Sequence, residues 1–171
     1  SLDRGGRVIY LGSFSSTLFA AVKISYMVLP EAFATVFSAI VKDYSQTCSK
    51  MEQLTLAMFM ETRYYQTHIK KIRKLYAQKL AGVTEAFKKY ASDFIEVTNS
   101  SSGITLPLRI RSQKKGAQLK KEALSTGLPV VIMNRSAAEG EQHTNLIIYY
   151  NQIPLDDIDT VIDRLIRRWR S

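Results

Sequence analysis

Four hydroxyls fall within five positions, at Ser13, Ser15, Ser16 and Thr17, directly after Gly12, and Lys23 follows a few residues later. A tight turn carrying hydroxyls and backbone N–H groups offers donors to a bound anion, and a lysine adds a cation or an amine. The turn sits between two apolar segments, "RVIYLG" and "ISYMVL", each of which reads as a strand. Taken alone, such a turn is most simply a strand-ending loop without a ligand.

Other groups able to do chemistry are few. His68 lies in a basic helical stretch and reads as a surface or packing residue. His143 sits in a polar loop, and neither histidine has a second His or Cys at zinc-ligand spacing, so no metal site is expected. Cys48 is the single cysteine and cannot close an internal disulfide, which fits a reducing compartment.

The elements that position these groups follow from periodicity. Pro30 is expected to open a helix over "EAFATVFSAIVKDY", and Ser49 with Glu52 has capping-box spacing at the head of the next one. Ile69, Ile72, Leu75, Tyr76, Leu80, Val83, Phe87 and Tyr90 recur at threes and fours, which predicts one long amphipathic helix. Met51, Met58, Met60 and Phe59 read as filling between lobes. From "ITLPLRIR" the period becomes two, with Pro107 suggesting an edge position or a bulge. A helix ending at Gly127, strands "PVVIMN" and "TNLIIYY", and a last helix with an Ile158, Val161, Ile162, Leu165 and Trp169 stripe complete the chain. Residues 93–171 thus read as β-α-β-β-α.

The length of 171 residues and the 46% hydrophobic content allow one good core, or a core plus part of another. No apolar run is long enough to span a bilayer. The net charge of +9 is spread over "HIKKIRKLYAQK", "RIRSQKKGAQLKK" and "RLIRRWR", and reads as solvated faces rather than a nucleic-acid site. The chain opens on a strand with no initiating Met and reads as a piece of a longer protein.

The stretch "RVIYLGSFSSTLFAAVKISYMVLP" resembles the cofactor-lysine region of fold-type-I pyridoxal-phosphate enzymes. It is most similar to the aminotransferase-like domain of MocR-type regulators in the GntR family. That family's pattern runs strand, G-[ST]-[FL]-S-K-[ST]-L, an Arg seven residues after the Lys, a Gly-Tyr strand and a Pro-led helix. "MEQLTLAMFMETRYYQTHIKKIRKLYAQKL" is similar to the family's next helix, and "LIIYYNQIPLDDIDTVIDRL" extends the resemblance to the C-terminus.

The resemblance implies an α/β (α+β) fold, with a remnant of the large lobe at 1–45, linking helices at 46–92 and the small C-terminal lobe at 93–171. It places Ser13, Ser15, Ser16 and Lys23 at the cofactor, with Ser16 in the Schiff-base lysine's place and Lys23 in that of a phosphate-binding arginine. A serine cannot form an imine, so no catalytic residue is assigned. Lys23 keeps the charge but lacks the planar fork of arginine. The effector carboxylate falls to Arg135, or to the position of Asn145.

The reading that follows is an effector-binding and oligomerisation fragment of a bacterial transcriptional regulator. It senses pyridoxal phosphate, an amino compound, or both, and is not an enzyme. Pyridoxal phosphate is expected in the full-length protein and not in this fragment. The expected partners are a second copy in a homodimer, DNA through an N-terminal winged helix-turn-helix, and a small amino-compound effector; the location is cytoplasmic, without membrane contact. Alternatives are a fragment of a class I/II aminotransferase and a basic interaction module without a ligand.

Overall fold

A computed structural model of the chain describes residues 5–15, 17–18, 22–44, 47–98, 103–133 and 143–171. Two compact units divide within one long helix, residues 1–72 and residues 73–171.

In residues 1–72, strands β1 (Tyr10–Ser13) and β2 (Ser25–Val28) form a two-stranded antiparallel sheet, with Gly12 opposite Tyr26. A Cβ on Gly12 would meet the Tyr26 ring at 2.2 Å, so the missing side chain is what lets that ring lie across the strand. Helix α1 (Glu31–Ile40) follows; Pro30 stands at its N-cap, one place before the expected position, and its carbonyl accepts from Phe33 and Ala34. Helix α2 (Lys50–Glu61) starts at Ser49, whose hydroxyl accepts from the Glu52 amide, as the capping-box spacing predicts. Arg63 adopts φ of 62°, a left-handed turn that separates α2 from helix α3 (Tyr64–Ala91). At 28 residues α3 runs for roughly 42 Å.

Residues 73–171 hold a four-stranded antiparallel sheet in the order β3 (Ile95–Val97), β4 (Thr105–Arg111), β6 (His143–Tyr149), β5 (Val130–Ile132). Alternation along β4 sends Leu106, Leu108 and Ile110 to one face, joined there by Leu146 and Ile148 of β6. Helices α3, α4 (Gly116–Ser125) and α5 (Ile158–Arg170) supply the facing side chains, Val83 and Phe87, Leu119 and Ala123, and Ile162, Leu165 and Trp169. A 3₁₀ turn over Leu155–Asp157 leads into α5. The α5 stripe is as expected, with Ile166 buried as well. Trp169 satisfies its indole N–H on the Leu119 carbonyl at 3.0 Å, and Lys79 is buried with its ammonium on the Asn151 carbonyl at 2.7 Å.

Gly127 has φ of 83° and ends α4 with bonds from its own amide to the Leu124 carbonyl and from Leu128 to Ala123. Three expectations need correction. Strand β3 is an additional element, in a stretch where the sequence pattern placed no strand. Pro107 lies in an interior strand, opposite Ile147, with no bulge. It is tolerated because its carbonyl accepts from Thr98, just past the end of β3, so its missing N–H faces the place where the neighbouring strand has run out. Met51 and Met58, expected to be packed between lobes, are 74% and 65% exposed.

Candidate functional site

The hydroxyl loop joins β1 to β2 and is closed at its base by the Phe14 amide on the Ile24 carbonyl at 2.9 Å. Phe14 orients the loop from beneath, its ring lying 5.4 Å from Tyr26 and 6.0 Å from Tyr65, centroid to centroid. The described hydroxyls turn inward. Ser15 donates to the Val22 carbonyl and Thr17 to the Phe14 carbonyl, while the Ser15 amide donates to the Ser13 hydroxyl oxygen. The amides of Thr17 and Leu18 both go to the Phe14 carbonyl. The loop therefore satisfies much of its own polar chemistry.

His68 is the residue that sequence reasoning undervalued. Its Nε2 lies 3.0 Å from the Thr17 carbonyl, and because a carbonyl only accepts, Nε2 carries the proton. The first turns of α3 thus grip the loop across 51 positions of sequence. No local signal could have shown this, since "HIKKIRK" reads only as a basic helix face. Phe59 of α2 stands 6.4 Å from the imidazole and 6.2 Å from Tyr65. A cavity of about 460 Å³ opens between the loop and α2.

Among the sequence-predicted residues, Ser13, Ser15 and Lys23 lie on this hairpin, with Lys23 exposed. Ser16 and Arg135 lie outside the described residues. Asn145 belongs to the other unit: it sits on β6 opposite Arg109, on the sheet face turned away from the helices, and its carbonyl accepts from the Met133 amide at 2.9 Å. Arg109 is paired with Glu96 at 3.2 Å. Among the described residues no three His, Cys, Asp or Glu side chains gather as metal ligands, and no helix is long and apolar enough to cross a membrane.

The protons of Ser15 and Thr17 are committed to backbone carbonyls. Lys23 is the cation left on the described part of the loop, and it makes no bond among the described residues.

The fold is that of part of an aminotransferase. The crystal structure of the kynurenine aminotransferase of Pyrococcus horikoshii superposes with a TM-score of 0.77 at 22% identity, over 99% of this chain and 42% of that one. The sequence is similar to a different class of protein. It is 32% identical to the HTH-type transcriptional regulator YhdI of Bacillus subtilis over 98% of this chain and 36% of that protein. It is 27% identical to the probable rhizopine catabolism regulatory protein MocR of Rhizobium meliloti, over 87% of this chain and 30% of that protein. No family model matches. The chain is thus similar to HTH-type transcriptional regulators, MocR among them, over a stretch whose fold is that of part of an aminotransferase. It spans about a third of the length of the curated relatives it matches.

Proposed function

We propose that this chain is part of the ligand-sensing and self-association domain of a transcriptional regulator, and that it does not transfer amino groups. The whole protein binds DNA through a helix-turn-helix region outside these residues and works in the cytoplasm. Its ligand is an amino compound, alone or together with pyridoxal phosphate held without an imine at position 16. In this reading 1–45 is a large-lobe remnant, 46–92 links, and 93–171 is the small lobe. Ser13, Ser15, Ser16 and Lys23 are the loop's candidates for the cofactor, and Arg135 or Asn145 for an effector carboxylate.

One observation carries the proposal: a chain similar to regulators along nearly its whole length has serine at position 16, which the resemblance sets in the place of an imine-forming lysine. A hydroxyl cannot condense with an aldehyde to an imine, so the chemistry that begins amino transfer has no protein amine there. The test is borohydride reduction in the presence of pyridoxal phosphate, followed by peptide mass spectrometry, on this chain and on the whole regulator. The expected outcome is no adduct within residues 13–23. An adduct there, or amino transfer by the whole protein, contradicts the proposal.

A further inference from the structure

The cavity beside the hydroxyl loop has apolar walls, from Leu18 and Ile24 of the hairpin and Leu56 and Phe59 of α2. Its volume of about 460 Å³ is within the range of small-molecule pockets, roughly 300–1,000 Å³. Such pockets take their specificity from a few polar groups, and Glu52 and His68 are polar groups on this wall. The Glu52 amide is held by Ser49, yet its carboxylate makes no hydrogen bond or ion pair among the described residues. Glu52 is exposed, and in a chain of net charge +9 its carboxylate at the edge of an apolar cavity is a local reversal of sign. With Nε2 held by the Thr17 carbonyl, a neutral His68 has its Nδ1 lone pair as an acceptor. Phe59 adds an aromatic face, which also favours a cation.

We propose that this cavity binds an apolar primary amine, with its ammonium at the Glu52 carboxylate and its hydrocarbon body against Leu18, Ile24, Leu56 and Phe59. The inference rests on, and narrows, the reading that the domain responds to an amino compound. Charge complementarity selects this occupant, because the Glu52 carboxylate attracts an ammonium, repels a carboxylate-bearing ligand and offers a wholly apolar one nothing.

The probes are 2-phenylethylamine and 3-phenylpropanoate, which share a skeleton and differ in charge, titrated calorimetrically into the 171-residue chain. The amine is expected to bind about tenfold more tightly than the acid, from the combined preference of Glu52 and Phe59. Glu52→Gln is expected to weaken the amine about threefold and to leave the acid no weaker. Leu56→Trp fills the cavity and is expected to abolish binding of both probes; Leu56→Phe, a smaller intrusion, is expected to weaken both if the tryptophan variant does not fold. Equal affinity for the two probes overturns the proposal, as does amine binding unchanged by Glu52→Gln or by the filling variants. Failure of the amine to bind also overturns it, and a doubled mass in light scattering then identifies a second copy as the occupant. Operator binding by the whole regulator separates the two levels. Amine binding here without any effect on DNA defeats the effector reading and leaves the cavity assignment standing.

Discussion

In residues 73–171 the last helix buries Ile158, Ile162, Leu165, Ile166 and Trp169, whereas in residues 1–72 helices α1 and α2 bury none of their side chains. The residue types are not the cause. Phe33, Val36, Phe37 and Ile40 are as apolar as the α5 stripe, yet each is more than 40% exposed. The difference lies in partners. Strands β4 and β6 present an apolar face to three helices, while β1 and β2 form only a two-stranded sheet whose residues remain largely exposed. A two-stranded sheet is marginal in water without further packing, and exposed apolar patches of this kind mark surfaces that another surface covers. The two units therefore teach opposite lessons: one is a self-sufficient core, and the other carries a loop and a cavity on a scaffold that awaits its cover.

The largest expected effect comes from deleting packing in the two units in parallel. Leu165→Ala should lower unfolding free energy by about 2–5 kcal/mol, the range for a large-to-small change in a closed core. Met58→Ala, at an exposed position, should stay within about 0.5 kcal/mol. Urea unfolding of the two variants reads this directly, and a Met58→Ala cost equal to that of Leu165→Ala breaks the contrast.

A smaller effect is expected on self-association, the second part of the proposed function. Strand β2 has no charged residue and is 40% exposed at Met27, so its open edge suits pairing with another chain. Light scattering across a dilution series should show a dimer that dissociates at higher concentration in Met27→Lys than in wild type. An unchanged dissociation curve excludes the β2 edge from the contact.

The smallest effect tests how α3 and α5 are tied within the closed unit. Hydrogen bonds from Tyr90, at 2.7 Å, and then from Lys89 hold the Asp159 carboxyl below the usual carboxylate range. A depressed carboxylate contributes stability that is complete above its unfolded pKa and is lost as pH falls through its folded pKa. The thermal midpoint of Asp159→Asn should therefore lie below wild type near neutrality, and the gap should close below about pH 4. A gap independent of pH assigns the effect to something other than this titration.

What the sequence made legible was local and periodic. The α5 stripe, the Ser49 cap and the Gly127 helix end each depend on a few neighbouring residues, and each stands where the pattern put it. What it hid depends on distant partners. Strand β3 has three residues, too few to display a period of two. Pro107 reads as an edge residue until the end point of β3 is known. The loop's composition advertised free hydroxyls, but Ser15 and Thr17 turn to carbonyls within their own hairpin, and His68 arrives from 51 positions away. Composition names the groups available at a site, and the fold decides which of them remain available.

Hydrogen–deuterium exchange on the intact 171-residue chain tests the contrast between the two units most directly. Amide exchange slows where hydrogen bonds open only with the unfolding of a packed core. Slow exchange is expected across β4, β6 and α5 and fast exchange across β1, β2 and α1, at a protein concentration low enough to keep the chain monomeric. Equal protection of the two sheets under those conditions would contradict the contrast.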